Sequence, residues 1–286
     1  MKKNKALNQE LIGLKEMLNV VDTYEEIAAL RMRKVKNMVF SSREFLGGLN
    51  DTFSTITYAY EAYLKGLRNK KARRATKNGK SVVIFLSSNT GLYGDIVQRT
   101  FDLFRKDLQG LENMPDIVVV GKIGMGLMKK YLPDREFSYH VADDSGVTEK
   151  HLQPFLDEVL EYSQIAVYHG FFSSVMEQEP RRTVITGSAD SLKKEHKSKD
   201  GVSFMIEPSV EEVADYFENQ ILAALIEQAD FEMSLSKFSS RMVSLYSSSQ
   251  NIKSKIEEVG YDLRKFKHIE INKKQITVLS GADLWR

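Results

Sequence analysis

The stretch Ser87–Asp95 (SSNTGLYGD) comes closest, by residue type and spacing, to a site that could do chemistry. It follows the apolar run Ser81–Leu86 (SVVIFL) and precedes an amphipathic stretch, so it is predicted to join a buried strand to a helix. Such turns bind phosphate in many α/β proteins, because N–H groups at the start of the helix point outwards. The stretch lacks the Lys-Ser/Thr ending of a P-loop and the three glycines of a dinucleotide fingerprint. A phosphate site and a tight structural turn both remain open, and the sequence favours the turn.

The other side chains that could be catalytic are isolated along the chain. The five histidines are His140, His151, His169, His196 and His268. No two of them have the spacing of a helical metal pair. His169 follows an apolar strand and could act as a base, although a lone histidine is more often structural. Cysteine is absent, which removes disulfides, thiolate–metal sites and cysteine nucleophiles. We therefore expect no catalytic residue, bound cofactor or metal in this chain.

Positive charge is concentrated in three places. Arg68–Lys80 (RNKKARRATKNGK) contains seven positive and no negative side chains, which suits either nucleic acid or a solvated linker. A second cluster begins at Arg31, and a third lies within Leu263–Ile276. The last two clusters fall on predicted helices and suit a partner with acidic loops as well as they suit nucleic acid.

Composition excludes several classes of protein. The 286 residues are 42% apolar and carry a net charge of +2, so the chain is neither wholly disordered nor globally polybasic, and its length suggests one or two domains. The longest apolar runs are too short to span a bilayer, which needs about 20 apolar residues. The N-terminal stretch lacks the unbroken apolar core of a signal peptide. We therefore expect a soluble, cytoplasmic protein.

The C-terminal end has the spacing of a coiled coil. All five prolines lie between Pro115 and Pro208, so both ends of the chain are free to form long helices. After Glu207-Pro208, Ser209 is the predicted helix N-cap. Apolar residues then recur at alternating spacings of 3 and 4, as in a heptad repeat. The predicted seam consists of Leu235, Phe238, Met242, Leu245, Ser249, Ile252, Ile256, Val259, Leu263 and Phe266.

The N-terminal end has a matching pattern. The first predicted seam consists of Leu7, Leu11, Leu14, Leu18 and Val21. After an expected phase shift near Tyr24, the spacing is predicted to resume through Val35, Met38, Ser42, Phe45, Leu49, Phe53, Ile56, Tyr60 and Tyr63. Two long amphipathic helices at opposite ends of one chain predict an antiparallel coiled coil, and an ordinary helical bundle is the alternative.

The middle of the chain is predicted to be an inserted, Rossmann-like α/β domain. Strands are expected at Ser81–Leu86, Asp116–Val120, Glu136–Val141, Gln164–Phe172, Arg182–Thr186 and Ser203–Ile206. Helices are expected at Asp95–Leu108, Ile123–Tyr131 and Thr148–Ser163, and Asp190–Gly201 is expected to be a surface loop. Alternation of strands and helices predicts a partly parallel sheet. The predicted boundaries are 1–68 for the N-terminal helix, 69–207 for the basic linker and α/β domain, and 208–286 for the C-terminal helix.

The assembled pattern resembles the γ subunit of F-type ATP synthases, the central rotor shaft. The family's C-terminal motifs are matched by Glu207-Pro208, Ser236, Arg241-Met242, Leu245, Asn251, Ile271 and Gly281-Ala282. The turn SSNTGLYGD is similar to the family's Ser-Asp-Arg-Gly-Leu-Cys-Gly-Gly, and Val20–Ile27 is similar to its Val-x-x-Thr-x-x-Ile with one extra residue. The resemblance covers the whole chain and is strongest after residue 207.

Several positions depart from the family pattern. The Asp-Arg before the family's glycine is Asn89-Thr90 here, and its cysteine is Tyr93. The Glu that follows Ser236 in the family is Lys237. Near the C-terminus, the family's Arg-Gln is Lys267-His268, and the following Thr is Asn272. The chain is identified as a divergent member of the family.

The resemblance implies a mechanical function in ATP synthesis or hydrolysis coupled to ion or proton transport. The chain would contribute no catalytic group, and ATP or ADP with Mg²⁺ would be bound by partner β subunits. Its implied partners are three α-like and three β-like subunits, an ε-like subunit and, indirectly, a membrane ring on whose cytoplasmic face the complex lies. The residues expected to face these partners are Arg31, Arg33, Lys34, Lys237, Arg241, Lys265, Lys267, His268 and Lys273.

Three other interpretations stay open. The shaft could belong to a variant F-type ATPase that drives another machine, such as one for motility. The chain could instead be a coiled-coil scaffold that binds nucleic acid through Arg68–Lys80, although no nucleic acid is expected of a rotor shaft. It could also be a small-molecule enzyme with a ligand at Asn89–Asp95.

Overall fold

A computed structural model of the chain describes residues 2–66, 78–110, 114–141, 144, 156, 158–186, 207 and 209–283. The helices are α1 (Lys2–Gly66), α2 (Ile96–Gln109), α3 (Lys122–Tyr131) and α4 (Val210–Asp283). The strands are β1 (Ser81–Leu86), β2 (Asp116–Val120), β3 (Ser138–His140), β4 (Gln164–Phe172) and β5 (Gln178–Thr186). Among these described helices, none is long and apolar enough to cross a membrane.

The five strands form one mixed sheet in the order β3-β2-β1-β4-β5. Strands β1 to β4 pair in parallel, and β5 runs antiparallel to β4. The central strand β1 is buried from Val82 to Leu86, as expected of a parallel strand covered on both faces. The α/β prediction is therefore confirmed, with a sheet that is parallel except at one edge.

The strand predictions differ from the structure at two places. Strand β5 begins at Gln178 instead of Arg182, and it includes Pro180 opposite Gly170. A proline is tolerated there because, among the strands that the structure describes, β5 lies at the edge of the sheet, and N–H positions that point away from β4 need no partner in that sheet. Strand β3 is shorter than predicted. The predicted strand Ser203–Ile206, the loop Asp190–Gly201, the basic run up to residue 77 and the start of the helix predicted at Thr148 lie outside the described residues.

The chain divides into two compact units, residues 1–29 with 241–286 and residues 30–240. The inner parts of both long helices belong to the core of the α/β unit. That core joins Val35 and Val39 of α1 and Ile226 and Phe238 of α4 to the sheet residues. The predicted boundaries follow the helix ends, whereas the units follow packing.

In the first unit, α1 and α4 run antiparallel. The Asn4 amide donates to the Glu270 carboxylate at 2.9 Å, and the Ser249 hydroxyl donates to Asp22 at 3.0 Å. Every predicted seam position of α1 from Leu7 to Val21 is at least partly buried, as is every predicted position of α4 from Met242 to Phe266. The prediction of an antiparallel helix pair is confirmed. The predicted N-cap is confirmed as well, since the Glu212 N–H donates to the Ser209 hydroxyl at 3.2 Å.

The predicted phase shift near Tyr24 is wrong. Burial continues without a break at spacings of 4 and 3 through Glu25, Ala28 and Met32 to Val35. The acidic Glu25 and the small Ala28 hide this continuity in the sequence, because neither scores as a large apolar residue. Phe45, predicted on the seam, is 59% exposed, and Leu46 takes the inward position instead. The side chains of Phe53, Ile56, Tyr60 and Tyr63 lie outside the described set.

Candidate functional site

The turn between β1 and α2 holds a carboxylate of the chain itself. The backbone N–H groups of Asn89 and Thr90 donate to Asp144 at 3.1 and 2.8 Å, and the Thr90 hydroxyl donates to it at 2.8 Å. Successive N–H groups of this kind form an anion-binding nest. The donors that a phosphate would use here are thus engaged by the side chain of Asp144. This geometry supports the structural interpretation of the turn.

The turn is also fixed tightly to the loop after β2. The Ser87 hydroxyl donates to the Val120 carbonyl at 2.6 Å and accepts the Gly124 N–H at 2.9 Å. Gly121 has φ of +102°, and a Cβ atom there would lie 2.6 Å from the Ser87 hydroxyl oxygen. Only glycine fits this position without strain, because both its backbone angle and its surroundings exclude a side chain.

Lys237 brings a positive charge to the same turn from α4. Its Nζ atom lies 3.5 Å from the Asp144 carboxylate and 3.4 Å from the Ser87 carbonyl, to which it donates. The ammonium group also lies 5.4 Å from the ring centre of Tyr93, within range of a cation–π interaction. The residue is only 1% exposed. Lys237 was predicted to face a partner, but in the structure its ammonium group is buried inside the α/β unit and pairs with Asp144.

Four of the departures from the family pattern therefore meet at one place. Asn89, Thr90, Tyr93 and Lys237 all contact Asp144 or one another. The sequence identified each position separately but gave no sign that Asp144 joins them. Asp144 lies 54 residues after Thr90, and its acidic neighbour Asp143 gave no indication of a contact with the turn.

A second buried charge on α4 was missed by the sequence analysis. Glu232 is 2% exposed and accepts both the Nε and an Nη of Arg43 from α1, the Nε at 2.9 Å. Its other oxygen accepts the backbone N–H of Phe172 at 3.3 Å. Glu232 therefore joins α1, α4 and the end of β4. Glu232 stands between Phe231 and Met233, but the surrounding stretch also contains several polar residues, so the sequence did not clearly indicate that this carboxylate is buried.

His169 is a buried structural residue. Its ring nitrogens lie 3.1 Å from the Gly170 carbonyl oxygen and 2.9 Å from the Thr183 hydroxyl. Burial is the main cause that lowers the pKa of His169 to about 4, and the nearby charge of Arg181 contributes to the same shift. The imidazole is therefore neutral at physiological pH and enclosed by the sheet. It is not placed to act on a substrate.

Most of the predicted partner-facing residues are exposed. In the α/β unit, Arg31, Arg33 and Lys34 are exposed, and the Arg31 guanidinium lies 5.8 Å from the ring centre of Phe238. In the helical unit, Arg241 is partly buried and lies over the ring of Tyr24 at 5.2 Å. The exposed residues of that unit are Lys265, Lys267, His268 and Lys273. Each unit thus presents cationic side chains on a helix. Within the described residues, no His, Asp and Glu group could hold a metal ion.

A cavity of about 500 Å³ lies at the amino ends of β2 and β3. The Tyr162 hydroxyl donates to Asp116 in its wall at 2.7 Å. This hydrogen bond, together with burial and the nearby carboxylates, raises the pKa of Tyr162 to about 12. Ser138 and His140 both contact Glu158 near the same edge. Asp116 and Glu158, two of the carboxylates at this edge, are therefore paired with neighbouring side chains.

The comparison with known proteins decides the family. A profile of the family described as ATP synthase matches residues 3–283. The chain belongs to the ATP synthase family. A curated relative from Ruthia magnifica, named ATP synthase gamma chain, is 22% identical over 97% of this chain and 98% of its own. A relative of the same name from Thiobacillus denitrificans is 23% identical with the same coverage of both chains.

Solved structures of ATP synthase share the fold. The rotor of the Euglena gracilis mitochondrial enzyme in rotational state 1 aligns with a TM-score of 0.61 at 15% identity, over 94% of this chain and 99% of that one. A chain of the same enzyme described as OSCP/F1/c-ring, in rotational state 3, aligns with a TM-score of 0.62 at 14% identity, over 98% and 93%. The resemblance to the γ chain of ATP synthase is confirmed, and so is the predicted fold.

Proposed function

We propose that this chain is the γ-like central shaft of a rotary F-type ATPase. The single observation that carries the proposal is the full-length match: family, antiparallel terminal helices and inserted α/β unit agree from end to end. In this proposal one copy of the chain lies within a ring of three α-like and three β-like subunits. Rotation of the shaft is coupled to nucleotide turnover in that ring.

The proposed mechanism is differential contact. A shaft without threefold symmetry meets three β-like subunits at different angles and stabilises a different conformation in each. If one orientation of the shaft stabilises a given conformation of a β-like subunit, then that conformation also stabilises that orientation, because coupling between two equilibria is reciprocal. The chain itself supplies no catalytic group. ATP or ADP and Mg²⁺ are bound by the β-like partners.

The contact surface consists of the exposed cationic residues of the two long helices. They are Arg31, Arg33, Lys34, Lys265, Lys267, His268 and Lys273, with Arg241 as a partly buried contributor. Their charge suits acidic loops on the ring, and complementary charge sets which contacts form in each rotational state. Lys237 is left out of this surface because it is buried. The α/β unit is proposed to bind an ε-like subunit and, through it, a membrane ring at the cytoplasmic face.

Direct observation of rotation tests the proposal. The natural chain has no cysteine, so Lys106→Cys on the exposed face of α2 provides a single labelling site. With the ring fixed to a surface through its β-like subunits, we expect a bead on this cysteine to rotate in one direction when MgATP is added. The same assembly with a non-hydrolysable ATP analogue is the control. A ring that hydrolyses ATP while the bead stays still would overturn the proposal.

A further inference from the structure

The segment of α4 from Ala229 to Ser240 is buried along its whole length within the α/β unit. Most helices keep one face in water, so continuous burial over a dozen residues is unusual. The segment nevertheless contains three charged residues, Asp230, Glu232 and Lys237. A buried charge is costly unless it is paired and hydrogen-bonded, so the partners of Glu232 and Lys237 indicate what these two residues do.

Glu232 connects α4 to two other elements. One carboxylate oxygen binds the Arg43 guanidinium of α1, and the other accepts the N–H of Phe172 at the end of β4. The Arg43 guanidinium also lies 5.6 Å from the ring centre of Phe171. One residue later, the Met233 sulfur lies 3.1 Å from the Gly170 N–H. These contacts hold α4 to the carboxyl end of β4.

Lys237 connects α4 to the carboxyl end of β1. It donates to the Ser87 carbonyl and pairs with Asp144, whose carboxylate is itself held by the Asn89 and Thr90 N–H groups. The ammonium group of Lys237 therefore links α4 to a turn that is held by several hydrogen bonds. Its position depends on the turn because both of its oxygen partners are fixed there.

The two charged contacts project in different directions from the helix. Five residues separate Glu232 from Lys237, which corresponds to a rotation of about 140° around the helix axis and a rise of about 7.5 Å. If α4 rolled about its axis or slid along it, at least one of the two contacts would break. Apolar packing resists such movement less specifically, because the hydrophobic effect has no preferred direction whereas hydrogen bonds do.

We propose that Glu232 and Lys237 are positioning residues that fix the rotational register of α4 on the α/β unit and so transmit torque between the helix and that unit. This inference rests on the proposed function as a shaft. The joint consists of the Glu232–Arg43 and Lys237–Asp144 pairs with the backbone groups that they bind. Asp144 anchors the second pair by filling the anion nest of the β1–α2 turn.

A double-mutant cycle on the isolated full-length chain tests the Lys237–Asp144 contact. The variants are Lys237→Met, Asp144→Asn and the double variant, with urea unfolding as the measurement. Asp144→Asn should be the more destabilising single change, because it leaves the buried Lys237 ammonium without its carboxylate. In Lys237→Met, by contrast, the Asp144 carboxylate still accepts hydrogen bonds from the backbone N–H groups of the turn. We expect the unfolding constant of the double variant to be at least about 10-fold smaller than the value expected if the two single effects were independent. Additive effects would overturn the joint.

The surface pair Lys255–Glu258 is the matched control. Its atoms are closer, at 2.8 Å, but both side chains are exposed. The cycle Lys255→Met, Glu258→Gln should couple by no more than about threefold in the unfolding constant, since exposed pairs contribute little. Equal coupling in the two cycles would contradict the special role of the buried pair.

The rotation assay tests the mechanical role. In assembled rings, the rate of ATP hydrolysis with the variant Lys237→Met, Asp144→Asn should stay within about twofold of the rate with the natural chain. The torque on a bead attached at Lys106→Cys should nevertheless fall, because the double variant regains stability without regaining the directional contact. Lys237→Arg, which keeps the charge, should retain more torque than Lys237→Met. Torque that simply follows stability across these variants would overturn the mechanical role. A natural chain that never rotates would overturn the proposed function and this role together, while the cycle on the isolated chain still decides whether the contact exists.

Discussion

The carboxylate of Asp144 occupies the position that a bound anion takes in a phosphate-binding loop. Two backbone N–H groups and one hydroxyl converge on it, and the ammonium of Lys237 balances its charge. A turn that could otherwise attract phosphate is therefore closed by the chain's own side chain. This explains why the turn lies where many α/β proteins bind phosphate, although we propose that this chain binds no nucleotide there.

His169 makes folding stability depend on pH. Its pKa is about 4 in the folded chain and about 6.5 when unfolded, so between these values the unfolded chain binds a proton that the folded chain does not. The contribution is complete above pH 6.5 and is lost as the pH falls towards 4. At pH 5 we expect the free energy of unfolding to be lower by about 2 kcal/mol from this residue.

Urea unfolding from pH 7.5 to 4.5 measures this effect. Carboxylates also titrate in the range, so the informative quantity is the difference between the natural chain and His169→Gln. That variant should lose the part of the pH dependence that comes from His169. Parallel pH profiles for the two proteins would show that the buried imidazole does not titrate as described.

At the scale of elements, Gly121 fixes the junction between β2 and α3. An alanine there would have to adopt φ of +102° and place its Cβ 2.8 Å from the Ser88 backbone nitrogen. We expect Gly121→Ala to lower the free energy of unfolding by about 2 kcal/mol or more. Gly126 on the exposed face of α3 is the matched control, since no atom would lie within 4 Å of an added Cβ. Gly126→Ala should be neutral or stabilising by up to about 1 kcal/mol, and equal losses in both variants would contradict the prediction.

The antiparallel seam makes a separate prediction for the helical unit. Leu263 is 7% exposed within the seam, whereas Val278 on the same helix is 71% exposed. Leu263→Ala should cost about 2–4 kcal/mol in the free energy of unfolding, because it removes buried methyl groups and leaves a cavity. Val278→Ala should change it by less than about 0.5 kcal/mol. Thermal or urea unfolding measures both, and an insensitive Leu263 would mean that the seam is not packed in solution.

The sequence predicted those features of the helices and strands that depend on the pattern of neighbouring residues. The strands at Asp116–Val120 and Gln164–Phe172 were predicted to the residue, because buried parallel strands are continuous β-branched or aromatic runs. The seam of α4 was equally visible. At Phe45 the pattern misled, since an apolar residue one position from the inward face also fits a loose 3-4 spacing. The contacts of Asp144 and Glu232 were not predictable, because their partners lie far away in the sequence.

At the scale of the whole molecule, the predicted partner surface can be tested by reversing charge. Lys265→Glu with Lys267→Glu should weaken the coupling between ATP hydrolysis and rotation or ion pumping in the assembled complex without unfolding the chain, because both side chains are exposed. Coupled activity, measured as ions moved per ATP hydrolysed, is the readout.

Lys253→Glu on the same helix is the control for charge reversal as such, since Lys253 is exposed and lies outside the proposed contact surface. We expect this variant to leave coupling unchanged. If Lys265→Glu with Lys267→Glu also leaves coupling intact, the proposed contacts at these two residues are refuted.

The most direct test of the proposed role as a rotor shaft is to purify the tagged chain from its native cell and to measure the mass of the intact complex. We expect one copy of this chain with three α-like and three β-like subunits, in a particle that hydrolyses ATP. Additional subunits in that particle would identify the machine that the shaft drives. Recovery of the chain alone, or bound to nucleic acid without any such ring, would contradict the account.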